Sequence, residues 1–258
     1  MIKKDLIFDI GMHIGQDTRH YLNKGFNVLA IEANPELVQQ NKLKFKKEID
    51  EGRLTILNIG ISNKNETIPF YKNHRLSEWS SFVKEIGTRL NSSYEIIQVE
   101  CTTTEDLFKK YGVPYYLKID IEGNDYLCIN AISKESMPSY VSCEATSIEL
   151  LHTLYAKGYR KFKLINQADN FKPINIKKEK SKLFAAYLFI KCGVLLRIQK
   201  YLPLKHIYSS SGPFGENTKG KWLTYEETEK LYNQFYRKGE NEKALSDISW
   251  FDFHATIN

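Results

Sequence analysis

The feature that most restricts how this chain can fold lies near its start. The apolar run Leu6-Ile7-Phe8, continued by Ile10, leads into Gly11-Met12-His13-Ile14-Gly15 and then into a helical segment, 18–24. Such a run reads as a buried strand, and the two glycines leave room for a ligand to approach the backbone before the helix begins. Peptide N–H groups open at a helix start suit an anionic or hydrogen-bonding ligand. A dinucleotide-binding turn reads G-x-G-x-x-G, whereas this one reads G-x-x-x-G with a carboxylate, Asp9, at the strand end. That arrangement better suits a cationic or amine-bearing ligand. Plain strand-to-helix packing would leave the same trace.

Beyond the turn, strand and helix alternate. Strands are expected over 26–31, ending on Glu32, over 54–61, closing on Ser62, and over 115–121. Others follow over 140–143, ending at Glu144, over 161–165, and over 250–257. Pro35 opens a helix after the second of these, and residues 66–71 and 95–101 have strand character of their own. The alternation predicts a doubly wound, mostly parallel α/β sheet. A chain of 258 residues fits one domain of this class with insertions,. The insertions are expected at 72–93, as a cap, and at 167–248, as a lid, a substrate contact or a subunit contact.

The net charge of +6 suits an anionic partner without choosing one,. Cys101, Cys128, Cys143 and Cys192 form no C-x-x-C pair and read as reduced core thiols,. Met1-Ile2-Lys3-Lys4 runs straight into the first strand, so no signal peptide and a cytoplasmic location are expected,. Residues 183–196 are the most apolar run but fall short of the roughly 20 residues of a membrane span. Lys177, Lys178, Lys180 and Lys182 precede the run, and Arg197 and Lys200 follow it. Two readings stay open for it: peripheral association with an anionic membrane, or packing on the protein or on a second subunit of a homo-oligomer.

In an open α/β sheet the ligand sits at the C-terminal strand ends. Those ends carry Asp9, Glu32, Ser62, Asp120 and Glu144. Glu32, at the end of the second strand, is placed to accept ribose hydroxyls, with Asn34 and Ser62 near the adenine. Asp120 and Glu144 are expected to orient an acceptor hydroxyl and take its proton, or to hold magnesium or manganese. His254 would join them as a third ligand or general base. Glu122 reads as an ordinary helix N-terminal residue. Arg75, Lys84, Arg89 and Lys221 lie in insertions rather than along one nucleic-acid stripe, and they suit a diphosphate; nucleic acid is not an expected partner,.

Taken together these residues resemble the FkbM family of methyltransferases. The resemblance rests on Phe8-Asp9-Ile10-Gly11 with Gly15, on Ile31-Glu32-Ala33-Asn34-Pro35, on Gly60-Ile61-Ser62, and above all on Leu117-Lys118-Ile119-Asp120-Ile121-Glu122-Gly123. The segment Ser210-Ser211-Gly212-Pro213-Phe214-Gly215-Glu216, with Trp250 to His254, is similar to a subgroup found in bacterial surface-glycan biosynthesis. The resemblance implies a class I methyltransferase sheet with an antiparallel final strand, S-adenosylmethionine as cofactor, and methyl transfer to a hydroxyl, often on a sugar. It implies cofactor contacts from Asp9, Gly11, His13, Gly15, Glu32, Asn34, Ser62 and Asp120. A nucleotide-sugar or glycan acceptor would meet Arg75, Ser81, Lys84, Arg89, Ser211 and Gly212. An acceptor that is RNA or a lipid-linked glycan, and a non-catalytic adenosine-ligand-binding protein, remain as alternatives.

Overall fold

The computed structural model describes residues 2–179, 181–198, 211–235 and 250–257. The chain forms two compact units, Met1–Val141 and Ser142–Asn258.

The first unit opens with β1 (Ile2–Ile10), α1 (Gln16–Asn23) and β2 (Asn27–Ile31). Two helices, α2 (Pro35–Lys44) and α3 (Lys46–Asp50), return the chain to β3 (Leu54–Leu57). Pro35 supplies the preset φ at the start of α2, and Asn34 caps that helix by accepting the Glu36 N–H at 3.0 Å,. There follow β4 (Gly60–Ile61), β5 (Glu66–Asn73), a single helical turn α4 (Lys84–Gly87) and β6 (Tyr94–Thr102). Next come α5 (Thr104–Tyr111), β7 (Val113–Ile119) and α6 (Asp125–Asn130).

β1 pairs in parallel with β2 on one side and with β7 on the other, and β2 pairs in parallel with β3. The chain therefore builds outward from β1 in one direction and then returns to its other side, which creates a switch point between β1 and β7. Register makes this useful, because Ile10 lies opposite both Ile31 and Ile119. Three strands end level, so Gly11, Glu32 and Asp120 each follow directly on an aligned strand end. The ends of β1, β2 and β7 are buried on both faces and apolar apart from Asp9 and Lys118,.

The third strand stops earlier than expected. β3 ends at Leu57, while β4, carrying Gly60 and Ile61, joins a separate three-stranded sheet of order β4-β6-β5. Gly60 shows why: a Cβ there would lie 2.2 Å from the Phe82 ring and 2.7 Å from Cys101 Sγ, so its backbone is packed directly on those side chains. Ser62 goes with it.

In the second unit β8 (Tyr140–Glu144), which begins just before the division, is followed by α7 (Ile148–Lys157) and β9 (Lys161–Asn166). Ser147 caps α7, and Gly158 ends it at φ 120°,. The remaining elements are β10 (Lys172–Pro173), α8 (Ile176–Glu179), α9 (Lys182–Ile198), α10 (Tyr225–Phe235) and β11 (Phe251–Thr256). The final strand, β11, runs antiparallel to β9, as anticipated. The fold class is mixed α/β with a mostly parallel sheet, as expected of a class I methyltransferase. Parts of the 167–248 insertion, with Lys180, Lys200 and Ser210, lie outside the described residues, as does the side chain of Cys192. Cys101, Cys128 and Cys143 are buried free thiols. Burial pushes Cys101 up to about 11 and Cys128 to about 12, which keeps both protonated,. No helix among the described residues is long and apolar enough to cross a membrane.

Candidate active site

The glycine turn after β1 is built for packing. Gly11 has φ 86°, and a Cβ there would lie 1.8 Å from the Asp120 carbonyl oxygen. Gly15 has φ 78° and would place a Cβ 2.6 Å from the Phe45 ring. At their Cβ positions both glycines thus allow close approach of protein to protein. Between them His13 takes a left-handed conformation, φ 49°, and its Nε2 lies 2.8 Å from Ser77 Oγ. Its carbonyl accepts from Asn41 Nδ2.

Asp9 also departs from its expected role. The carboxylate is wholly buried, accepts from Thr18 Oγ1 at 2.5 Å and lies 3.1 Å from the Lys118 ammonium. Lys118, itself buried, donates to the Gly11 carbonyl at 2.6 Å and stands 3.8 Å from Asp120 Oδ2. Burial alone would push the ammonium down, but Asp9, Asp120 and Asp17 outweigh it and raise the group above its ordinary value, so it stays charged,. A buried cation thereby fastens the β1 turn to the end of β7. Lys118 stands in the motif Lys118-Ile119-Asp120, yet an isolated lysine inside an apolar strand gives no sequence signal of its partner more than a hundred positions away.

Glu32 follows directly on the end of β2. One carboxylate oxygen accepts the His13 N–H at 2.8 Å and the other accepts the Asn34 N–H at 2.8 Å. A carboxylate has about four lone-pair positions. Two acceptor positions are thus left beyond those two donors. Burial raises Glu32 above the usual carboxylate range, against the lowering effect of those two N–H donors. Asn34 contributes through its backbone and caps α2 with its side chain. Ser62 lies away from this edge and donates to Glu66 Oε1 at 2.5 Å. Its place at the end of β3 is taken by Asn58, an exposed residue whose Nδ2 holds the Glu32 and Ala33 carbonyls at 3.0 and 3.1 Å.

The turn after β7 carries the most reactive group. Asp120 is about one-third exposed. Glu122 and Gly123 follow with φ 50° and 102°, and a non-glycine residue held left-handed is uncommon enough to point to function,. Ser81, expected to bind substrate, is buried and donates to the Glu122 carbonyl at 2.7 Å while accepting the Val83 N–H. Arg89, expected to hold a diphosphate, donates to Glu122 Oε2 at 2.7 Å and has its guanidinium 4.8 Å from the centre of the Trp79 ring. Burial and the neighbouring Asp120 raise Glu122 to about 7, against the lowering effect of Arg89. It is therefore a proton acceptor poised near neutrality, where the sequence suggested only a helix start. Arg75 and Lys84 are exposed.

The remaining expected residues belong to the second unit. Glu144 ends β8, half-buried. Just beyond it the Ala145 N–H donates to the Phe251 carbonyl at 2.7 Å, so the strand-end edge of β11 lies at Phe251. His254 is three residues further in, buried, and opposite Lys163 in register. Burial and the Lys163 charge push its imidazole down to about 3, and it stays neutral. That placement removes it as a general base. The magnesium or manganese set of Asp120, Glu144 and His254 is not assembled: among the described residues no group of three or more His, Cys, Asp or Glu side chains is placed to hold a metal. Ser211 is buried, and a Cβ on Gly212 would lie 2.5 Å from the Phe171 ring, so both are packing positions rather than an open acceptor surface.

The sequence model of the Methyltransferase FkbM domain matches residues 9–162, more than half of the chain. Among solved structures, the methyltransferase FkbM of Methylobacillus flagellatus KT is 20% identical, covering 62% of this chain at a TM-score of 0.43. The chain spans 40% of the length of that structure. The precorrin-6y C5,15-methyltransferase of Geobacter metallireducens GS-15 is 9% identical, covering 100% of this chain and 82% of its own, with a TM-score of 0.39. Phosphoethanolamine N-methyltransferase 2 of Haemonchus contortus, solved with S-adenosyl-L-methionine, is 10% identical, covering 99% and 49%, with a TM-score of 0.39. A search of curated proteins gives no significant match.

Proposed function

This chain belongs to the FkbM methyltransferase family, and from that premise we propose that it transfers a methyl group from S-adenosylmethionine to a sugar hydroxyl. The acceptor in this reading is a nucleotide-diphosphate sugar used in bacterial capsule or surface-polysaccharide assembly. S-adenosylmethionine supplies an electrophilic methyl carbon when bound. The chain's own residues must then hold the adenosine, align the hydroxyl and remove one proton.

The observation that carries the reading is Glu122, raised to about 7 beside Asp120 on the turn that packs against the cofactor turn. A hydroxyl is a weak nucleophile with its proton in place, so transfer to oxygen benefits from an acceptor whose pKa lies near the working pH. Arg89 and Trp79 hold that carboxylate in one orientation, and Ser81 fixes the backbone beneath it. Asp120 is placed to accept a hydrogen bond from the incoming hydroxyl. Glu32 fits a ribose through its two remaining acceptor positions. Exposed Arg75 and Lys84, on the same insertion as Arg89, offer charge to a diphosphate.

Incubation with labelled S-adenosylmethionine and a panel of nucleotide sugars tests this. Methylated sugar is expected, and Glu122→Gln should lower turnover about 10²–10⁴-fold, the usual contribution of a positioned base, while leaving cofactor affinity in place. Labelling of RNA or protein without any methylated sugar would overturn the acceptor assignment.

A further inference from the structure

Helix α9 carries two apolar rows, and the described residues of the protein cover one of them. Phe184 and Leu188 are buried with Ala168. Leu183, Tyr187, Ile190 and Val194, at steps of four, three and four, form a second row exposed to 84%, 50%, 65% and 49%,. Phe189, about a quarter turn round the helix from Ile190, adds a flank on the side away from Phe184 and Leu188, at 68% exposure. An exposed contiguous apolar row of this kind marks a contact surface.

Charge selects the partner. Residues 180–205 contain Lys180, Lys182, Lys191, Arg197, Lys200 and Lys205 and no aspartate or glutamate. Lys191 is turned inward, donating to the Ala168 carbonyl at 2.8 Å and to Asn170 Oδ1 at 2.9 Å. Lys178 is likewise bonded to Asp169. Lys182 is exposed at the head of α9, directly before Leu183, and Lys177 is exposed on α8. Two copies of this face brought together would set cations against cations, whereas an anionic lipid surface accepts both the apolar row and the lysines. At 17 residues the helix suits a position in the plane of the surface,.

We propose that α9 docks this protein on an anionic membrane surface, with Leu183, Tyr187, Phe189, Ile190 and Val194 entering the headgroup boundary. This does not depend on the identity of the acceptor.

Flotation of the full chain with vesicles tests it, using phosphatidylcholine alone and phosphatidylcholine with phosphatidylglycerol. The protein is expected to float with the anionic vesicles, and less so as salt screens the lysines. The double variant Phe189→Glu/Ile190→Glu should lower the partition coefficient about tenfold or more, since two exposed apolar side chains that would enter the headgroup boundary are replaced by charges facing anionic lipid. Both positions are exposed, so circular dichroism should be unchanged. Should that variant fail to fold, Leu183→Ser with the lipid and salt dependence of the unaltered chain gives the same discrimination. Failure to float with anionic vesicles, equal flotation with both compositions, or a dimer in light scattering that the double variant dissolves would each overturn the proposal.

Discussion

Lys118 holds the two halves of the candidate site together, because its ammonium meets Asp9, the Gly11 carbonyl and Asp120 from one buried position. Removing one partner of a buried pair leaves the other charge uncompensated, so Lys118→Met should destabilise the fold by about 3–5 kcal/mol. The double variant Asp9→Asn/Lys118→Met should cost less than that single one, and urea denaturation of both measures the difference. Glu122 sets the pH dependence. The ionised form is the base, so kcat/KM should rise as pH passes about 7,. Arg89→Ala removes the charge that lowers Glu122 and should move this limb to higher pH. Stability runs the opposite way: a carboxyl raised in the folded state contributes stability that is complete below its ordinary range and lost as pH rises through about 7,. A pH–rate profile whose limb is unmoved in Arg89→Ala would contradict the assignment.

The level ends of β1, β2 and β7 are what bring Gly11, Glu32 and Asp120 side by side. Gly11→Ala tests that packing, since a methyl group would meet backbone at 1.8 Å in a left-handed conformation. Gly123→Ala would meet the tip of Ile86 at 2.4 Å, a side chain that can move. Both positions are left-handed, so each variant should lose about 1–3 kcal/mol to backbone strain,, and thermal unfolding should show the Gly11 variant losing more, because its methyl group meets backbone rather than a movable side chain. The same elements show how much the sequence revealed. Apolar runs ending in Asp9, Glu32 and Asp120 identified the strands and their edge, since burial on both faces leaves a continuous apolar trace. Gly60-Ile61 continued such a run, and nothing local signalled that Gly60 packs on Phe82, so Ser62 was placed at the wrong edge. His254 was read as an edge residue because the alternation along residues 250–257 does not show which end of the strand meets the sheet edge. Glu122 reads as a helix start in the sequence because its raised pKa comes from burial and the neighbouring Asp120, against the lowering effect of Arg89, a combination that only the folded turn creates.

At the scale of the molecule, family membership fixes the α/β frame and the strand-end edge, while the acceptor is argued from the carboxylate pair and the basic residues of the insertion. An adenosine ligand is the part shared with dehydrogenases, so calorimetry should show binding of S-adenosylmethionine in preference to NAD. Glu32→Ala should weaken the former by removing both the ribose acceptor and the partner of the His13 and Asn34 N–H groups. The central claim is transfer of a methyl group to oxygen on a sugar. It is tested most directly by nuclear magnetic resonance of the acceptor pool after incubation with 13C-methyl S-adenosylmethionine. A new methyl carbon correlated through oxygen to a sugar ring proton is the predicted result. Label found on nitrogen, or in RNA, with none on a sugar, would contradict it.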